Sequence, residues 1–291
     1  MPLVTPFNED FSIDYKSLYK LIDWQISNGS HGISIAGSTG ENVLLSMDEK
    51  KDLIKNTFEY ISKRVPLVPG TGAGNLKETL ELTKFAEKIG CDAALVLVPY
   101  YSRPNQQGIY EYFKEIASSV SIPIIIYNIP SRTGTSIEPK TLKSLKEKFS
   151  NITGIKEANP NFDQMSKDIL ECGEDFNVYS GIESLCFPLL AIGGAGYFSA
   201  TANVLPKELA QMYNLVKENR WEDAKKLHYK LLPINEVLFI ETNPIPVKEA
   251  LSLMGFIKPI LRPPLTNLSK DKKEILLKTL SNYLNLQKIS V

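Results

Sequence analysis

The chain has 291 residues, of which 43% are hydrophobic and 23% charged, and its 33 basic residues balance 33 acidic ones. This ordinary composition suits one large domain or two small ones, and the even charge leaves no electrostatic footprint for nucleic acid or an anionic membrane. Three cysteines (Cys91, Cys172, Cys186) without a pairing pattern read as free thiols in a reducing, cytoplasmic compartment, and no apolar run is long enough to span a bilayer.

The opening residues, MPLVTPFNED, lack a basic region followed by a long apolar run, so no signal peptide is expected. Short apolar runs then alternate with amphipathic segments. Strands are expected at 3–6, 32–36, 66–69, 92–98, 123–127, 152–156, 177–180 and 196–200. Runs such as AALVLV and IPIIIY are apolar on both faces, which is the pattern of strands buried in a parallel sheet. Between them, Ser46 and Glu49 form a capping box, and Leu53, Ile54, Thr57, Phe58 and Ile61 then share a helical face. Ile109, Phe113, Ile116, Ala117 and Val120 repeat the spacing, and Pro206 occupies a first-turn position ahead of Leu209, Met212, Tyr213 and Val216. An open doubly wound sheet would show the same alternation, but eight repeats favour a closed (β/α)8 barrel, a fold of about 250 residues. From residue 220 the strands stop. Segments 221–240, 246–254 and 270–286 read as helices, with Pro233, Pro244, Pro246, Pro263 and Pro264 marking kinks or breaks. The expected organisation is a barrel over 1–219 and a packed helical extension over 220–291.

Four strand ends carry unusual residues, all on the carboxyl side where barrel enzymes place their chemistry. Gly37-Ser38-Thr39-Gly40-Glu41 offers hydroxyls and turn amides that can cradle a carboxylate, or simply make a capped turn. Tyr100-Tyr101 reads as packing or as an interface anchor. Tyr127 ends a strand, and Arg132 five residues on can grip a carboxylate or pair with a surface acid. Lys156 closes an apolar strand. Burial disfavours an ammonium and frees an amine able to attack a ketone, whereas a snorkelling lysine would do neither. Gly70-Thr71-Gly72-Ala73-Gly74 lacks the spacing of a dinucleotide loop, and two histidines without an acidic cluster argue against a metal site. Neither metal nor cofactor is expected.

Taken together and in order, VTPF (4–7), GSTGE, PYY, YNIPSRTG, GIKEA, ETNPIPVK and LRPPLT (261–266) resemble the dihydrodipicolinate synthase/N-acetylneuraminate lyase family over nearly the whole chain. The resemblance implies a (β/α)8 TIM barrel with a C-terminal helical extension, in which Lys156 condenses with pyruvate. It implies a proton-relay triad of Tyr127, Ser38 and Tyr101, the last reaching a neighbouring subunit's site. Thr39 would hold the pyruvate carboxylate, Arg132 the carboxylate of the second substrate, and Gly181 and Phe198 would complete the binding pocket. A homo-oligomer, a tetramer built as a dimer of dimers, follows.

Arg132 and NPIPVK resemble the synthase branch, which joins pyruvate to L-aspartate-4-semialdehyde. The alternatives are a pyruvate-dependent aldolase acting on a sugar-derived 2-keto acid, such as an N-acetylneuraminate lyase, or a non-catalytic paralogue. Retention of Lys156, Tyr127, Tyr101 and Ser38 argues against the last. The chain departs from the synthase pattern at Ser38, usually threonine, and at Asn159-Pro160-Asn161 after the lysine motif. A further departure is Phe198, whose backbone carbonyl position faces the pyruvate pocket and whose bulk bears on substrate choice. Glu78 and Tyr100 match the allosteric cleft of lysine-inhibited relatives. Gly74, Met47 and Lys50 do not, so inhibition by lysine is expected to be weak or absent.

Overall fold

A computed structural model describes residues 1–284. Helices α1 (Tyr15–Ser27), α2 (Met47–Ile61) and α3 (Leu76–Ile89) follow the first three strand segments. Each opens on a side-chain cap that satisfies an otherwise unpaired backbone donor. Asp14 accepts from the Ser17 amide at 3.0 Å, Asn75 from that of Glu78 at 2.9 Å, and Ser46 and Glu49 close the expected capping box.

Strand β1 (Ala94–Leu97), helix α4 (Gln106–Ser119), strand β2 (Ile124–Asn128), the short helix α5 (Pro130–Thr133), helix α6 (Pro139–Lys148), strand β3 (Ile152–Glu157), helix α7 (Phe162–Cys172), strand β4 (Asn177–Ser180), helix α8 (Cys186–Ala191) and strand β5 (Gly196–Tyr197) then alternate. All five strands are parallel and paired in chain order.

The first three expected strands are not continuous ladders. They survive as single parallel bridges, Pro2↔Ser34, Ile33↔Leu67 and Gly70↔Leu95, held by bonds such as Val68 N to Ile33 O at 2.8 Å and Leu95 N to Pro69 O at 2.9 Å. Pro2, Pro6, Pro66 and Pro69 explain the interruption, because proline has no amide to donate to a ladder. At the seam between last and first segments, the Asn203 side chain takes the place of a ladder. Its Nδ2 donates to Pro2 O at 2.8 Å and its Oδ1 accepts from Val4 N at 3.2 Å. The result is a (β/α)8 barrel.

Strand alternation divides the core into two layers. Leu95, Ile125, Tyr127, Ala158 and Phe198 cluster inside the barrel, while Val96, Ile124, Ile126, Ile155 and Val178 join the larger core between wall and helices. Gly70 belongs to this architecture and not to a nucleotide loop: a Cβ there would lie 2.3 Å from Ala36 O, so the close approach of neighbouring backbones requires glycine.

Helix α9 (Pro206–Lys217) starts on its expected first-turn proline. The C-terminal extension comprises α10 (Trp221–Val237), α11 (Ile245–Leu253) and α12 (Lys270–Leu280). Three expectations shift. The first helix ends three residues early and carries Pro233 inside it without a break, the second begins one residue earlier, and the last stops at Leu280. Residues 285 and 286 of that last expected helix lie outside the described residues. Helix α11 is buried along most of its length, from Ile245 to Leu251. No described helix is long and apolar enough to cross a membrane.

Candidate active site

The pairing register brings the central residues together. Tyr127 of β2 lies beside Lys156 of β3, and Lys156 beside Tyr179 of β4. One residue on, Asn128, Glu157 and Ser180 form the next row, and alternation turns these towards the helices. Lys156 is only 5% exposed, with Nζ 4.0 Å from the Tyr127 ring centroid and 5.4 Å from that of Phe198. The two ring faces receive the cation where water is scarce. Gly181 makes room for it: a Cβ there would lie 3.0 Å from Lys156 Cε and 2.9 Å from Ala158 Cβ.

A cavity of about 520 Å³ opens over this lysine at the carboxyl ends of the strands. Ser38, Thr39, Tyr127, Arg132, Lys156, Gly181 and Phe198, seven of the eight residues singled out in the sequence, all line it. Ser38 and Thr39 lie on a tight turn, with Gly40 N bonded to Gly37 O at 3.0 Å and Glu41 N to Ser38 O at 3.2 Å. They do not cap the following α-helix, a task that falls to Ser46. Arg132 stands in the last turn of α5 and not in an irregular loop.

Two lining residues had no assigned part in the sequence reading. Asn243, inside the ETNPIPVK motif, donates from Nδ2 to Thr39 Oγ1 at 2.9 Å, while its backbone carbonyl accepts from Arg132 Nη2 at 2.7 Å. It thereby ties the two expected carboxylate-binding residues together. Glu183 accepts from Ser199 Oγ at 2.5 Å and from Ala200 N at 2.7 Å, fixing the chain just beyond β5. Burial pushes its carboxyl above the usual range, opposed by these hydrogen bonds and by the charge of Lys156. Only its position near a strand end could have drawn attention to it.

Behind the reactive row, Asn128 Nδ2 donates to Glu157 Oε2 at 2.8 Å, and Gln164 Nε2 and Asn159 N also reach this carboxyl at 3.1 and 2.7 Å. Asp168, fully buried on α7, is the neighbour of Glu157, and burial together with that neighbour's charge raises it strongly. Neither acid stands out in the sequence.

Tyr101 does not line the cavity. It is 95% exposed and adopts a left-handed φ of 70°, which is uncommon for a residue with a side chain. Of the three residues of the expected relay, Ser38 and Tyr127 line the cavity, and Tyr101, expected to reach a neighbouring subunit's site, stands apart from it.

A barrel closed around an interior lysine, flanked by a tyrosine and a hydroxyl-bearing turn, is that of a (β/α)8-barrel lyase. The chain belongs to the dihydrodipicolinate synthetase family, whose model matches residues 1–283. It is 46% identical over 278 residues to the 4-hydroxy-tetrahydrodipicolinate synthase of Thermodesulfovibrio yellowstonii, covering 96% of this chain and 95% of that protein. The protein of the same name from a Sulfurihydrogenibium species is 45% identical over 282 residues, covering 97% and 96%. Among solved structures, dihydrodipicolinate synthase from Aquifex aeolicus superposes with a TM-score of 0.96 at 40% identity, covering 98% of this chain and 97% of that one. The Acinetobacter baumannii enzyme, solved in complex with pyruvate, superposes with a TM-score of 0.94 at 39% identity, covering 97% and 96%.

Proposed function

We propose that this chain condenses pyruvate with L-aspartate-4-semialdehyde to 4-hydroxy-tetrahydrodipicolinate, the reaction that commits carbon to diaminopimelate and lysine. The observation that carries the reading is Lys156, buried at the end of β3 with Nζ over the Tyr127 ring in a cavity that also holds Ser38, Thr39 and Arg132.

The chemistry follows from that arrangement. Pyruvate enters with its carboxylate on the Thr39 turn. The Lys156 amine attacks its C2 carbonyl, and loss of water leaves an iminium. The positive nitrogen acidifies the methyl group, and removal of one proton gives an enamine. This carbon attacks the aldehyde of the second substrate, whose carboxylate Arg132 binds through its planar fork. The amine of the new product then displaces Lys156 by closing a ring on the former C2. Each step moves a proton, and Tyr127 with Ser38 supplies the relay within reach of the imine. Gly181 keeps the space beside the lysine open, and Phe198 walls the opposite side.

Tyr101 completes the relay from a neighbouring subunit. Its exposure and its unfavourable φ, which costs on the order of 1 kcal/mol or more, have no return within one chain. A homotetramer arranged as a dimer of dimers is the assembly that uses it. The three cysteines are unpaired and buried, in keeping with a cytoplasmic enzyme. Residues 1–219 act as the catalytic barrel and 220–291 as its extension.

Borohydride reduction in the presence of pyruvate, followed by intact mass and peptide mapping, tests the imine. A single adduct on Lys156 is expected, and its absence removes the proposal. Turnover of aspartate semialdehyde in a coupled assay then tests the second substrate.

A further inference from the structure

We propose that the buried ion pair between Glu41 and Lys248 is a positioning device that holds the Ser38–Thr39 turn in its binding shape. This rests on the reading of the cavity as the pyruvate site.

Glu41 ends the GSTGE motif and Lys248 ends NPIPVK, yet neither lines the cavity. Both are almost completely withdrawn from water, at 2% and 0% exposure, and they form an ion pair. Lys248 Nζ also donates to Ile260 O at 2.8 Å and lies 4.1 Å from the Phe7 ring centroid. Arg262 covers the same ring at 4.5 Å and donates its backbone amide to Glu41 Oε2 at 3.3 Å. Its guanidinium reaches Leu44 O and Glu49, the capping-box acid of α2. Segments from NPIPVK and LRPPLT thus converge on the carboxylate that ends GSTGE, and Phe7 of VTPF packs against both cations.

As a source of stability this is a poor arrangement. Removing two charges from water is costly, and apolar replacements of equal volume are often as stable. Glu41 also adopts a left-handed φ of 57°, in a motif that has glycine at the preceding position. A strained residue held by a costly pair points to preorganisation of what it adjoins. What it adjoins is the turn: Glu41 N donates to Ser38 O, and Thr5 Oγ1 donates to Gly40 O at 2.7 Å. Helix α11 and the segment before it therefore grip the turn twice, through Asn243 on the Thr39 hydroxyl and through Lys248 on Glu41.

The test is the charge-free double variant Glu41→Gln with Lys248→Met, in the full-length protein. Deuterium exchange at residues 37–44 should accelerate, while β3 stays protected. The KM for pyruvate should rise about tenfold, the worth of one well-placed hydrogen bond, and kcat should fall with it because Ser38 of the relay shares the turn, while the KM for the aldehyde is little changed. Lys248→Arg, which keeps the pair, should behave as wild type in both readouts. Unchanged exchange over 37–44 overturns the proposal. So does a fall in kcat with both KM values intact, the signature of a merely structural pair. If the double variant does not fold, Glu41→Gln alone is read by the same two criteria. A wild-type protein that forms no pyruvate adduct refutes the assigned chemistry instead, and the exchange result then decides the clamp by itself.

Discussion

Tyr127 and Lys156 are register partners on adjacent parallel strands, and the lysine Nζ sits 4.0 Å from the centre of the tyrosine ring. The ring is therefore carried next to the lysine amine by the sheet itself and does not depend on a flexible loop. Tyr127→Phe keeps the ring and deletes only the hydroxyl. Pyruvate should still be trapped on Lys156, while kcat falls about 10²-fold or more through loss of proton transfer. Near-normal turnover by the variant would exclude Tyr127 from the relay.

Asn243 and Arg132 make opposite predictions for the two substrates. Asn243→Ala removes the bond to Thr39 but keeps the carbonyl that receives Arg132. Its KM for pyruvate should rise about tenfold with that for the aldehyde nearly unchanged. Arg132→Ala should spare pyruvate trapping and cripple use of aspartate semialdehyde. Steady-state kinetics with each substrate varied in turn separates the two outcomes.

The Glu157–Asp168 pair sets a pH dependence of stability. Both carboxyls are raised, by burial first, and Asp168 is pushed up to about 9. The folded protein thus keeps a proton that the unfolded chain, with ordinary carboxylates, releases. The pair's contribution is complete below the normal carboxylate range and is lost as pH rises towards 9, a change on the order of a few kcal/mol. Asp168→Asn needs no proton, so its urea midpoint should gain on wild type between about pH 5 and pH 9. A constant difference across that range would show that the pair binds no extra proton.

Feedback by lysine should be weak or absent. Here Lys50, buried with Glu78 as its nearby opposite charge, brings a resident cation towards the acid that a lysine ligand would need. Gly74 contributes no side-chain donor beside Tyr100, whose hydroxyl would lie 3.1 Å from any Cβ placed there. Like charges at short range oppose binding. Half-maximal inhibition at submillimolar lysine in the coupled assay would contradict this.

Much of the molecule was legible in one dimension. Apolar runs two-sided enough for a parallel sheet, a capping box at Ser46 and Glu49, and a first-turn proline at 206 act within a few residues, so local pattern reports them. Ser38, Thr39, Tyr127, Arg132 and Lys156 could be picked out because each closes or follows a strand, and a barrel gathers all its strand ends on one face; Gly181 and Phe198, which line the same cavity, came from the family resemblance. The proline-interrupted opening strands were misjudged in length, since hydropathy does not register a missing amide.

What only the tertiary structure decided lies in contacts between distant segments. Asn243 meets Thr39 across 204 positions and Arg262 meets Glu49 across 213. Glu41 and Lys248 stand 207 positions apart with nothing in the sequence to link them, and the fold buries them together as an ion pair. No local propensity encodes such pairings, because their energy appears only when barrel closure brings the C-terminal extension over the second strand. Sequence alone could mark Lys156 as the candidate reactive centre. The turn opposite it takes its shape from residues that have no meaning until the chain has folded.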